Sequence, residues 1–321
     1  MPNSYTPLKR RSYDQKGVEA IAHKYRTWGQ WGDDDELGSS NYVTTERVAA
    51  AASTIKRGVV FSLSLPMDTN GPQTGQTRRI NPQHLMLRTP RDHALNDGGL
   101  QKFTDDSVYM PLQSSTQWDA LSHVFYDGTT YNGRGVDSVT AQGAEFNSIT
   151  NFKHAAGRGV LLDIARDLGR SWLDAGESVQ KEDLEQCADR QGVEVGEGDY
   201  VLVRTGQMAF CRDRGSWGDY AGGPAPGLGL SAAEFLCERH VAAVATDTWG
   251  MEVKPYECET LIAPMHIILL VNAGLLVGEM WDLDELASDC ADDHVYEFFL
   301  TAPPLMISGA VGSPLNPLAI K

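Results

Sequence analysis

The chain has 321 residues, 41% of them hydrophobic and 22% charged, a balance that supports an ordinary globular core and excludes disordered and fibrous classes. Its 43 acidic residues outnumber 27 basic ones, a formal net charge of −16. A surface that acidic repels phosphate backbones and anionic headgroups, which argues against nucleic acid and membrane as partners.

Five widely spaced cysteines (Cys187, Cys211, Cys237, Cys258 and Cys290) contain no CxxC, so free thiols in a reducing compartment are expected. Met1 to Arg11 is polar and basic with no apolar run behind it. The longest apolar stretch, near Ile267 to Val277, is about half of what a membrane span needs. A soluble, cytoplasmic protein is the expectation.

An N-terminal arm of about residues 1–43 precedes the first helix. Thr44 or Thr45 caps a helix through Val48, Ala49, Ala52 and Ile55 that Gly58 ends. Val59, Phe61, Leu63 and Leu65 alternate with polar residues as a strand closed by Pro66. Residues from about 68 to 99, rich in Gly, Pro, Asn, Gln and Arg, predict a long irregular loop, a feature that is often functional. A repeating grammar follows: a strand at 159–164, a helix over 181–191 stopped by Gly192, and a strand at 199–204. Ser231 to Glu234 reads as a capping box for a helix to Arg239. Then come a strand at 241–246, a helix over 264–273 stopped by Gly274, a strand at 275–279 and a helix starting at 282–287. Strands alternating with helices predict an α/β protein with a partly parallel sheet, and the lack of any linker favours a single domain over 1–321.

The stretch most informative about chemistry is Gln113-Ser-Ser-Thr-Gln-Trp-Asp-Ala-Leu-Ser-His123. In extended backbone Gln117 and Asp119 share one face, and a turn would bring Gln113 and His123 to the same place. Two amides, a carboxylate and an imidazole suit a cation plus a base. By spacing alone, a hydrogen-bonding turn with a packed histidine is the better reading. No GxSxG elbow, P-loop, GxGxxG after a strand or HExxH is present, which weakens serine hydrolase, kinase and dehydrogenase readings.

This stretch resembles the motif HxGTHxDxPxH of the cyclase family, the kynurenine formamidase-like and isatin hydrolase-like metal-dependent hydrolases, with Thr116, Asp119 and His123 in register. Trp31 to Asn41, His154 to Arg166, Gly198 to Gly206, Pro264 to Glu279 and Gly312 to Ala319 resemble further family segments in the family's order. The resemblance implies a swivelling β/β/α fold, a mixed and partly parallel sheet with flanking helices, commonly in a homo-oligomer. It also implies one divalent ion, or two, with Asp119, His266 and Glu279 as ligands and His123 as general acid/base. Both leading motif histidines are replaced here, by Gln113 and Gln117, and the motif proline is Leu121. An amide oxygen is a weaker ligand than imidazole. The expectations are, in order, one ion on Asp119, His266 and Glu279 with Gln117 and Gln113 as weak members, a preference for Mn²⁺ over Zn²⁺, or loss of the metal.

The implied function is a metal-dependent hydrolase opening a C–N or C–O bond at a carbonyl of a small, cyclic or aromatic amide or lactone. Alternatives are an aryl-formamide hydrolase, a metal-free lyase or dehydratase, and a non-catalytic small-molecule binding protein. Trp118, Phe125, Tyr131 and Trp31 are expected to line a pocket for an aromatic or cyclic substrate. Arg204, at the end of a strand, is set either to bind a carboxylate or to pair with one of the many acids.

Overall fold

A computed structural model describes residues 6–75, 78–93 and 101–321. Among these, nine strands form one sheet: β1 (Val60–Ser62), β2 (Gln117–Asp119), β3 (Ala156–Asp163), β4 (Tyr200–Arg204), β5 (Ala243–Thr246), β6 (Leu276–Glu279), β7 (Glu297–Thr301), β8 (Gly312–Pro314) and β9 (Leu318–Ile320). Their order is β1-β9-β7-β3-β4-β5-β6-β2-β8. The central run β3-β4-β5-β6 is parallel and both flanks are antiparallel. All residues of β4, β5 and β6 are buried. That is why these segments read as continuous apolar runs, since helices cover both faces of a parallel sheet. The fold is the mixed α/β arrangement expected from the sequence.

The helix Lys181–Gln191 ends where expected, with Gly192 in the left-handed region at φ 66°. Thr44 caps the helix Thr45–Ala52, its side chain accepting from the Arg47 amide, but the helix stops at Ala52 rather than Gly58. The helix Ala232–Glu238 is present without the expected capping box. Instead, the Ser231 hydroxyl donates to Gln180 Oε1 at 2.6 Å and accepts from the Lys181 amide at 3.0 Å, so it serves the start of the neighbouring helix. The excursion over 68–99 is not irregular throughout. Gln83–Arg88 is a strand, paired antiparallel with Asp105–Tyr109, and Leu85, Leu87, Val108 and Tyr109 on this ribbon are exposed. The ribbon is exposed on both faces, so its sequence carries no in–out alternation to read.

The main core packs around Trp118, Trp281, Phe235 and Phe298, and it takes in Val18 and Ala22 of the N-terminal helix Gln15–Lys24. A smaller apolar group, Leu65, Met208, Cys211, Tyr220 and Met280, lies against Trp217 and Trp249. Among the described residues no helix is long and apolar enough to cross a membrane.

Candidate metal centre

The short strand β2 is hydrogen-bonded between β6 and β8, in a register that sets Gln117 opposite Glu279 and Asp119 opposite both Val277 and Gly312. Alternation along β2 puts Gln117 and Asp119 on one face and Trp118 on the other. Thr116 locks this register. Its hydroxyl donates to the Met280 carbonyl at 2.5 Å and accepts from the Leu65 amide at 2.9 Å. Gly312 leaves room for Gln113, because a Cβ there would lie 2.5 Å from Gln113 Nε2.

His266 arrives from a different direction. Ala263, at φ 50°, turns the chain into the helical turn Pro264–His266, and the wider π-helix Ile267–Ala273 continues from it. The sequence, with Pro264 at its start and Gly274 at its end, predicts an ordinary helix here. The segment is buried on all sides and so carries no polar stripe to reveal its period. The N-terminal arm satisfies the carbonyls at the far end. Trp28 Nε1 donates to the Val271 carbonyl at 2.7 Å, and the hydroxyls of Thr27 and Ser39 both donate to Ala273 at 3.0 Å. π-turns are uncommon and often occur at functional sites.

These elements bring Asp119, His266 and Glu279 together, with one ligand atom from each lying within 4.8 Å of the others. His266 Nε2 is 3.2 Å from Glu279 Oε1 and 3.9 Å from Asp119 Oδ2. The other ring nitrogen, Nδ1, is 2.6 Å from Glu252 Oε1. Gln117 Nε2 donates to Glu279 Oε2 at 2.8 Å, and the Met251 amide donates to Glu279 Oε1 at 3.2 Å. His123 Nε2 lies 3.5 Å from Asp119 Oδ1.

The donor set fits a divalent cation. Both oxygens of Asp119 and Oε1 of Gln117 are buried without a hydrogen-bond partner, an arrangement that costs free energy unless something positive meets them. Burial and the charge of Glu279 raise the Asp119 carboxyl well above the usual range, against the opposing pull of His266 and Arg79. For Glu279 burial is outweighed by the hydrogen bond and charge of His266, so its pKa falls. Burial likewise opposes charge on His266, but the hydrogen bonds that its ring donates to Glu252 and Glu279 prevail and raise it. Burial, Arg79 and His266 push His123 down to about 4, which keeps it neutral and able to accept a proton at pH 7.

Of the residues singled out in the sequence, Asp119, His266, Glu279, Gln117 and His123 converge, and Gln113 packs beside them on Gly312. The residues expected to contact substrate have other partners or stand at the surface. Trp118 faces the core, fully buried, its ring centroid 4.6 Å from that of Trp281 and its Nε1 donating to the Ala302 carbonyl. Tyr131 packs on Gly274, at the end of the π-helix away from His266, and donates to Asp35. Trp31 meets Tyr42 edge-on in the N-terminal arm. Phe125 stands at the surface, 59% exposed. Arg204 takes the structural option, bonding Asp163 at 2.9 Å and Asp284 at 2.8 Å.

Sequence reasoning missed Glu252, Gly250 and Arg79. Glu252 orients His266, yet nothing in its local sequence distinguishes it. Trp249 and Gly250 line a narrow cleft with His266, Glu252, Lys254 and Tyr256 that encloses about 330 Å³ with its open mouth included. Arg79 approaches from the 68–99 excursion, whose unusual length was the only signal.

The fold and site define a mixed α/β protein with a buried carboxylate–imidazole cluster beside a second imidazole. The family model Cyclase, described as "Putative cyclase", matches residues 38–253, and the chain belongs to this family. A crystal structure of a novel cyclase is 41% identical, with a TM-score of 0.84 over 94% of this chain and 99% of the other. Isatin hydrolase A from Labrenzia aggregata, bound to benzyl benzoate, is 21% identical, with a TM-score of 0.59 over 85% of this chain and 97% of that one. A predicted metal-dependent hydrolase from Bacillus stearothermophilus is 17% identical, with a TM-score of 0.52 over 82% and 98%. At these last two identities the likeness is one of fold. No curated protein matches the chain.

Proposed function

We propose that this protein is a metal-dependent hydrolase that opens a C–N or C–O bond at a carbonyl of a small cyclic or aromatic amide or lactone. The observation that carries the reading is the unpartnered Asp119 carboxylate within 4.8 Å of His266 and Glu279 ligand atoms, with His123 3.5 Å away. Asp119, His266 and Glu279 would hold one divalent ion, Mn²⁺ or Zn²⁺, with Gln117 Oε1 as a weak fourth donor. When bound, such an ion supplies Lewis acidity to the substrate carbonyl and to the attacking water.

The chain's own residues do the rest. Glu252 accepts the Nδ1 proton of His266 as a hydrogen bond, so the Nε2 lone pair faces Asp119 and Glu279. Gln117 holds Glu279 through its amide, leaving its own oxygen turned into the site. His123 is neutral, and its Nδ1 has no partner, so the ring can take a proton from water and return it to the leaving nitrogen or oxygen. The isatin hydrolase and metal-dependent hydrolase folds among the structural relatives support the same reading.

Metal content is the first test, on protein without a histidine tag offered Mn²⁺ and Zn²⁺ separately. About one ion per chain is expected, lost in Asp119→Ala and His266→Ala. His123→Ala should keep the ion and lose kcat. Transfer of ¹⁸O from labelled water into product then separates hydrolysis from elimination. Failure to retain either ion would sink the metal mechanism in favour of a metal-free lyase or a binding protein.

A further inference from the structure

Arg79 is a cation stacked on Trp249 of the cleft beside the carboxylate-rich site, and among the described residues no carboxylate pairs with it. Its guanidinium lies over the Trp249 ring, 5.2 Å from the centroid, and Nη1 donates to the Gln113 carbonyl at 3.1 Å. Trp249 lines the cleft that contains His266, and a Cβ on the adjacent Gly250 would lie 3.8 Å from Glu279 Oε1. The wall carrying Arg79 is braced. Trp249 Nε1 donates to Gln73 Oε1 at 3.2 Å, and Gln73 Nε2 donates to the Ser114 carbonyl at 2.8 Å. Arg79 therefore sits between Gln113 and Trp249, close enough that its charge acts on Asp119, His123 and Glu279 together.

Among the described residues no ion pair includes Arg79; other arginines such as Arg10 and Arg214 also lack one, but Arg79 stands over Trp249 of the cleft, where its charge reaches Asp119, His123 and Glu279. In a chain of net charge −16, acids to pair with are plentiful. A guanidinium that is half-buried, stacked on an aromatic ring and held by one backbone carbonyl keeps most of its planar donor fork free. A planar carboxylate is the group that matches this fork in two parallel hydrogen bonds.

We infer that the substrate carries a carboxylate besides its scissile carbonyl, and that Arg79 binds this carboxylate while the aromatic face of Trp249 lies beside it. The assignment rests on the hydrolase reading only in taking the cleft beside His266 as the substrate's. It also gives the acidic site a way to hold an anion that Asp119, Glu252 and Glu279 would otherwise repel.

The probes are carbamoylbenzoates, with an amide and a carboxylate on one ring, and the matching neutral benzenedicarboxamides. Binding is measured by calorimetry on Mn²⁺-loaded and metal-free protein, with hydrolysis followed separately. The wild type should bind at least one carbamoylbenzoate about tenfold or more tighter than its diamide, as expected of a charge-assisted bidentate pair. Arg79→Met should abolish that preference with ion content and melting temperature unchanged, and Arg79→Lys should retain part of it. The preference should also weaken as salt is raised.

No preference in the wild type, including no binding at all, overturns the assignment. So does a preference that survives Arg79→Met, which would place the carboxylate on the ion or on Lys254. An equal loss of kcat on charged and neutral amides in Arg79→Met, with KM unchanged, would also overturn it by making Arg79 part of the reaction itself. Failure of the hydrolase reading looks different: Arg79-dependent anion binding without turnover of any amide.

Discussion

Replacing Asp119 by Asn should shift stability in opposite directions with and without a divalent ion. Asp119 is 1% exposed, and neither of its oxygens has a hydrogen-bond partner. The nearest positive group, His266 Nε2, is 3.9 Å away and closer to Glu279. Leaving a charged group buried and unpaired costs about 1–3 kcal/mol or more. Its neutral isostere removes the charge and keeps the volume, so metal-free Asp119→Asn should be more stable by about 1–2 kcal/mol. With an ion at one hundred times its Kd the wild type gains about 2.7 kcal/mol. The variant loses that gain along with its charged ligand. In a chain of this size each kcal/mol moves the melting temperature by about 2 °C. Thermal melts in chelator and in excess Mn²⁺ or Zn²⁺ should therefore cross, the variant melting higher in chelator and lower with the ion. Equal destabilisation in both conditions would refute the reasoning and make Asp119 a structural acceptor.

Other consequences follow from the same geometry. Glu252→Gln should weaken ion affinity about 10–100-fold with the fold intact, because a neutral amide oxygen accepts from His266 Nδ1 more weakly than a carboxylate and makes the ring a poorer ligand; unchanged affinity in a metal titration would remove Glu252 from the site. With the ion saturating, kcat should be flat between pH 8 and 6. His123 is held at about 4, so its basic form is full above that value and lost only as pH falls through it; a fall centred near 6.5 would show an unshifted base. Gly274→Ala should cost about 2–4 kcal/mol by denaturant titration. Gly274 has φ 62°, and a Cβ there would strike the Tyr131 ring and lie 2.8 Å from Gly38 Cα.

Much of the architecture was legible because its causes are local. The stop of the helix Lys181–Gln191 needs only a glycine that tolerates positive φ. The runs Tyr200–Arg204 and Ala243–Thr246 need only enough apolar residues to fill a strand buried on both faces. The alternation that puts Gln117 and Asp119 on one face is likewise a property of three consecutive residues. The same rule puts Trp118 on the other face, but which face is the core follows only from the insertion of β2 between β6 and β8.

Tertiary structure decided everything that depends on residues far apart in the chain. Arg204 is a structural ion-pair partner because β3 and the helix Asp284–Asp293 bring two acids to it. Glu252 becomes the orienting group of His266, and Arg79 a charge at the cleft, through loops whose own sequences carry no period. The segment 267–273 is apolar all round, so its sequence determines that it is buried but not how tightly it winds. Hydrogen bonds from Thr27, Trp28 and Ser39 help hold the π-helical form. Local sequence sets backbone conformation and which side chains seek the interior. The pairing of distant charges waits on packing, because no short-range rule reaches across the more than one hundred residues that separate Gln117 from Glu279 in the chain.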